Sequence, residues 1–324
     1  DLALSRTVCT FFEAYWQDKF SNNVLQLRVP QDVATIDQAM RVIEIFSSRR
    51  EYTKLNPLVV LLDKGDHQIT SLFTSDVYYQ FGWADGLDHE NTLAITCSNI
   101  TFVGKGIGET TLLGGLAIEY QQNIVLKQLT VSNNWYTDAW PSNKRIIGIQ
   151  MHGAKIELID VAIVDCKDFG IALYGCTSSP SKLVATRCVI SDGSKAGIFI
   201  HNQDDFDDDN DANTACLTDC VISENDDGIH ACGNCVVNIH GSATAIHSNQ
   251  SYGIAAGHRF DTNNGRFTTD DGSISKIIIH LPSHHNTSYN NGDEGGQDRV
   301  SQPHGSISQG GLNNMEYVNQ SWRN

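Results

Sequence analysis

The sequence predicts an all-β fold: a single-stranded right-handed parallel β-helix, closed at its N-terminal end by a capping helix. Three observations predict it. A Gly-Ile strand start recurs five times, as GIQMHG from Gly148, GIALYG from Gly170, GIFIHN from Gly197, GIHACG from Gly228 and GIAAGH from Gly253, at intervals of 22, 27, 31 and 25 residues. Self-similarity at such a period marks a repeat architecture. A second strand-like segment recurs between these starts, as KIELIDVAIVDC, KLVATRCVISDG, ACLTDCVISEND and VVNIHGSATAIHSN. Within the segments apolar and polar residues alternate with period two, the β pattern.

Each element follows in order. The N-terminal segment, 1–57, contains Thr35-Ile-Asp-Gln38, a capping box that opens the helix TIDQAMRVIEIF. Ile36, Ala39, Met40, Ile43 and Phe46 share one stripe of that helix. Placed over the first coil, it covers apolar rungs and strand edges that would otherwise be open. The β-helix itself is expected over 58–281. It begins with LVVLL from Leu58 and continues through NTLAITCSNITFVGKG and LAIEYQQNIVLKQLTVSNN.

In the repeats, Ile149, Ile171, Ile198, Ile229 and Ile254 form one inward column, and Met151, Leu173, Ile200, Ala231 and Ala256 the next. Matching residues stack about 4.8 Å apart, the spacing of paired strands. Glycine at each strand start suits a sharp coil corner. SKIIIHL from Ser275 reads as the last strand, and 282–324 as an irregular polar tail. A leucine-rich solenoid is the competing repeat fold, but its L-x-x-L-x-L-x-x-N pattern is absent.

The order of VPQDVATIDQAM, LVVLLDKGDHQI, SNITFVGKG and then the Gly-Ile coils resembles the pectin-lyase-like right-handed β-helix superfamily, over roughly residues 28 to 281. The resemblance implies the fold. It leaves the activity open, because the superfamily holds lyases, hydrolases, esterases, epimerases and non-enzymatic members.

Composition narrows the partners. The net charge of −16 opposes binding to nucleic acid or an anionic membrane, since neutralising phosphates needs clustered Lys and Arg. No apolar run is long enough to span a bilayer. The chain starts at Asp1 with no signal-peptide pattern, so a removed or omitted leader is expected. Nine Cys, four N-x-S/T sequons (Asn99, Asn249, Asn286 and Asn319) and few Lys point to a secreted, extracellular or cell-surface glycoprotein. An extracellular glycan, an acidic polysaccharide above all, is the expected partner. Such a ligand would need a bridging cation to meet so acidic a chain.

Three groups of residues carry candidate chemistry. The alternation puts His152, Tyr174, His201 and Cys232 in one outward column, and Gln150, Ala172, Phe199 and His230 in the next. His201, Tyr174, His230 and His152 are the candidate catalytic residues, because abstracting a uronate C5 proton needs a base near neutral pKa and a proton donor. Lys195, Arg259 and Phe199 are the candidate substrate-binding residues. The plain alternative is an amphipathic sheet surface, or a wall buried under a loop.

The run DDFDDDNDAN from Asp204 suggests Ca²⁺, with Asp207, Asp209, Asp211 and Asn213 at the alternate spacing of calcium loops. It lacks the glycine and final glutamate of an EF-hand, and a solvated acidic loop is the plain alternative. Asp226-Asp227-Gly228 resembles the paired aspartates of polygalacturonases, but no N-T-D element precedes it, and a turn explains N-D-D-G equally. The signatures of pectate lyases and alginate epimerases are absent too.

Cys188 and Cys220 align one rung apart, and Cys232-x-x-Cys235 and Cys216-x3-Cys220 offer local pairs. Structural disulfides are expected there. Two functions therefore stand side by side. One is a lyase or epimerase acting on an acidic polysaccharide with Ca²⁺. The other is a non-enzymatic structural, adhesive or assembly-forming protein that self-associates.

Overall fold

The computed structural model describes residues 26–47, 52–74, 88–134, 146–175, 179–202, 212–257, 259–261, 266–268, 275–280, 288–292, 298–301, 306–310 and 316–317. These form a parallel β-helix. An eight-stranded parallel sheet holds all five Gly-Ile strands, extended by Thr92–Ile95 and Gly115–Glu119 at one end and Arg299–Ser301 at the other. A seventeen-stranded sheet supplies the other walls of the coil.

The two inward columns are as expected. All ten residues, from Ile149 to Ala256, are 0% exposed. Across the coil they meet a column of rung partners running Ile124, Ile156, Leu183, Ala215, Val237, Ile277 and Ile307. Each such aliphatic side chain, moved from water to the interior, contributes about 1.5–3 kcal/mol. That gain, repeated at every rung, holds the solenoid together.

The second repeated segment differs from the expectation of one strand. It bends midway, so each coil has three strands. The bend falls at Gln128, Asp160, Arg187 and Asp219, with φ of 54°, 54°, 52° and 53°. A further left-handed column, Asp165, Asp192, Glu224 and Ser248, turns the chain back toward the Gly-Ile sheet. Left-handed φ costs a non-glycine residue roughly 1–2 kcal/mol. Lateral bonds offset some of it: Arg187 donates to both Asp160 oxygens at 2.7 and 2.8 Å. That hydrogen-bonded guanidinium holds the Asp160 carboxyl below its ordinary pKa.

The Gly-Ile glycines serve close approach, not the corner. A Cβ on Gly228 would lie 2.4 Å from the Gly253 carbonyl oxygen, and one on Gly170 would lie 2.7 Å from that of Gly197. The rungs stack too closely there for any side chain.

Asparagines tie the turns together. Asn225 Nδ2 donates to Asn249 Oδ1 (3.1 Å), and Asn249 Nδ2 donates to Asn291 Oδ1 (2.8 Å). Asn249 is 1% exposed, so the folded chain cannot offer it for glycosylation. Asn99 is also engaged, donating to the Tyr52 carbonyl at 2.8 Å. Asn286 and Asn319 lie outside the described residues.

The helix spans Ile36–Ser47. Thr35 Oγ1 accepts from Gln38 N, and Gln38 Oε1 accepts from Ala34 N, so the capping box forms with its return bond one residue earlier. Ile36, Ala39, Met40 and Ile43 join the main core, together with Val42. The Phe46 side chain lies outside the described residues. Asp37 fixes the helix by accepting from the Thr70 and Ser71 backbone N–H groups.

Strand pairing also runs past the 58–281 span. Gln26–Val29 pairs with Leu58–Leu62, and Ser306–Gly310 pairs with Ser275–His280.

The expected disulfides are absent: every described cysteine is a free thiol. Cys188 and Cys220 each donate to the carbonyl two residues before, Thr186 and Thr218, both at 3.4 Å. The two sulfurs also lie within hydrogen-bond reach of each other across the rung gap, farther apart than the about 2 Å of a disulfide. They pack as small core residues.

Candidate functional site

The outward columns of the Gly-Ile sheet have the expected register. Tyr174 pairs with His201, His152 with Tyr174, and Phe199 with His230. Their exposure corrects the expectation of a solvent-facing site. His152 is 2% exposed, Tyr174 4%, Phe199 3%, His201 8% and His230 3%. The physical reason is a second apolar cluster on this face, in which Tyr174 and Phe199 join Ile147, Phe169, Ala172 and Cys232. Phe199 is its hub. Its ring stacks on Phe169 at 4.6 Å, meets Tyr174 edge-on at 6.0 Å, and lies 6.0 Å from both His201 and His230.

One ionisable pair lies within this face. His230 Nδ1 is 2.8 Å from Asp227 Oδ2. Asp227 Oδ1 accepts from the Tyr252 N–H at 3.1 Å. A carboxylate on Nδ1 orients an imidazole and leaves Nε2 as the nitrogen suited to proton transfer. His152 differs: burial pushes its pKa down to about 4, so it is neutral near pH 7. Its ring meets Tyr120 edge-on at 5.1 Å.

The other expected residues fall elsewhere. Lys195 Nζ is 2.5 Å from Asp168 Oδ1 and 5.5 Å from the Phe169 ring centroid, so its charge is already engaged at the rim. Arg259 begins a short strand, Arg259–Asp261, paired antiparallel with Arg266–Thr268. Its side chain lies outside the described residues.

Asp207, Asp209 and Asp211 lie outside them too. Asn213 is 0% exposed; its Oδ1 accepts from Ser181 N (2.7 Å) and its Nδ2 donates to the His201 carbonyl (2.8 Å). It braces the backbone beneath His201. Among the described residues no three His, Cys, Asp or Glu side chains gather at one point. Cys232 and Cys235 are both 0% exposed, and burial raises both thiols. Thiols held neutral in this way are poor nucleophiles, which argues against a redox CxxC.

Sequence reasoning did not find a further site, which is open among the described residues. A groove of about 540 Å³ runs over the outer face of the large sheet. Four lysines line it: Lys54, Lys127, Lys155 and Lys182. Asn99, Asn123 and Thr101 add polar atoms, Val125 and Val184 an apolar floor, and Glu157 one carboxylate. Lys155 and Lys182 are rung partners. Among the described residues the four lysines form no ion pair, whereas Lys64, Lys105 and Lys195 do. The polar–apolar alternation Lys155-Ile156-Glu157-Leu158 was the available signal, since it turns Lys155 and Glu157 outward together.

No family model matches the chain, and no curated protein matches it. Several solved structures do. Geobacillus virus E2 ORF18 shares 10% identity over 98% of this chain and 66% of that one, with a TM-score of 0.45. This chain thus spans just under two thirds of the phage protein's length. Pectin methylesterase PemA from Erwinia chrysanthemi shares 13% identity over 91% and 85% of the two chains, with a TM-score of 0.48. The A-module of the Azotobacter vinelandii mannuronan C-5 epimerase AlgE4 shares 14% identity over 86% and 96%, with a TM-score of 0.27. No superfamily and no residue role follows from these likenesses; the rungs of this chain define the β-helix by themselves.

Proposed function

We propose that this chain is an extracellular protein that binds an acidic polysaccharide in the lysine groove. The observation that carries the reading is the collection, around one open groove, of four lysines that form no ion pair among the described residues, in a chain whose net charge is −16. Like charges gathered without partners repel one another, and an anionic ligand relieves that repulsion. A locally basic groove also removes the need for a bridging cation. The polar and apolar lining suits pyranose rings, which offer hydroxyls at their edges and C–H groups on their faces.

The test is calorimetric titration of the full chain with a polygalacturonate or hyaluronan oligosaccharide and with neutral dextran. Saturable, salt-sensitive binding of an acidic glycan alone supports the reading; equal binding of dextran, or none of either acidic glycan, sinks it.

A second reading is favoured by the Asp227–His230 pair. In it, His230 is the base of a lyase or epimerase at the Gly-Ile face, and Ca²⁺ is held by Asp207, Asp209 and Asp211 of the expected set, Asn213 being engaged in backbone hydrogen bonds. Such chemistry requires the sealed face to open to a polymer. Proton NMR of acidic polysaccharides incubated with the chain, in Ca²⁺ or in EDTA, tests both parts. Unsaturated or inverted uronate signals that vanish in EDTA and in His230→Ala are expected on this reading. An unchanged spectrum in Ca²⁺ overturns it.

A further inference from the structure

We infer that Glu157 makes the groove selective for a heteropolysaccharide in which carboxylated sugars alternate with neutral ones, over a homopolymer with a carboxylate on every sugar. The inference rests on the groove being an acidic-glycan site.

Its geometry follows from the register. Lys155 and Glu157 are exposed, and Ile156 and Leu158 between and after them are buried, so the first two share the outer face. Lys155 and Lys182 are rung partners, about 4.8 Å apart at the backbone. Lys127 is the rung partner of Ile159, four residues along the strand from Lys155. At about 3.3 Å per residue and one rung sideways, Lys127 lies roughly 14 Å from Lys155. Along this strand the cationic positions therefore stand at two ends, the Lys155–Lys182 pair at one and Lys127 at the other, while Lys54 precedes the strand Leu58–Leu62 farther across the rungs.

Between them the surface changes sign. Glu157 is the rung partner of Val125 on one side and Val184 on the other. Among the described residues it forms no ion pair, so its exposed carboxylate can meet a ligand in the groove. The flexible four-carbon stems of the lysines can lean inward over this backbone distance, so that a glycan crossing the groove puts one sugar at the lysine pair, another at Lys127, and an intervening sugar over Glu157. A carboxylate on that middle sugar would meet Glu157 as a like charge. A neutral sugar there can donate its hydroxyls to the Glu157 carboxylate, which when ionised only accepts. The C–H face of the same sugar meets Val125 and Val184.

The test compares two size-matched probes by calorimetry on the full chain at low salt. One is a hyaluronan decasaccharide, with a carboxylate on alternate sugars. The other is a polygalacturonate decasaccharide, with one on every sugar. The native chain is expected to bind the hyaluronan probe more tightly, and Glu157→Gln is expected to raise polygalacturonate affinity by about three- to fivefold. Glu157 is exposed, so the variant should keep the native melting temperature. Equal or reversed preference in the native chain, or a Glu157→Gln change that is the same for both probes, overturns the inference and leaves the groove reading standing. Binding of neither probe overturns the groove reading, and the inference with it.

Discussion

The outer face of the Gly-Ile sheet and the outer face of the large sheet follow the same rung arithmetic, yet one is sealed and the other is open. On the first, successive rungs stack Phe169, Phe199 and Tyr174 beside His201 and His230, and every one of these is buried. On the second, Lys155, Glu157 and Lys182 stand exposed over a floor of Val125 and Val184. Period-two alternation sets which way a side chain points. The chemical character of the whole column sets whether that face meets water. Titratable residues on an outward column are therefore not enough to mark an accessible site, and the face richer in histidine is here the one closed to a polymer.

The largest expected effect lies in the sealed face. Phe199→Ala removes the hub of the aromatic cluster and should cost about 3–5 kcal/mol, read from chemical denaturation. A loss below about 1 kcal/mol, within the range of ordinary surface substitutions, would mean that this face is not packed as a second core.

The next concerns pH. Burial lowers the His152 pKa from 6.5 to about 4, so between those values the unfolded chain binds the proton that the folded chain refuses. Stability from this residue is complete above pH 6.5 and is lost as the pH falls toward 4, by roughly 3 kcal/mol. His152→Asn should flatten the fall in melting temperature over that window. Identical pH profiles for the two proteins would show that His152 is not held neutral by burial.

The fold was largely legible in the sequence, because the Gly-Ile starts set the register of both inward columns and of the outward ones. The mid-coil bend was not, since Gln128, Asp160, Arg187 and Asp219 span three residue types, none of them glycine, and only their left-handed φ unites them. The role of the repeated glycines was misassigned for a related reason: a missing side chain reads the same whether it serves a corner or a close approach. His230 was visible as a candidate, but its carboxylate partner Asp227 read as a turn residue. The groove was invisible because Lys54, Lys127, Lys155 and Lys182 are scattered along the chain and only rung stacking assembles them.

On the proposed reading the chain meets its ligand in the open, basic groove and not at the sealed histidine face. Titration of Lys155→Ala/Lys182→Ala with an acidic oligosaccharide that the native chain binds tests it most directly. Roughly tenfold weaker binding, a shallower dependence on salt and an unchanged melting temperature are expected. Native affinity in the double variant would contradict it.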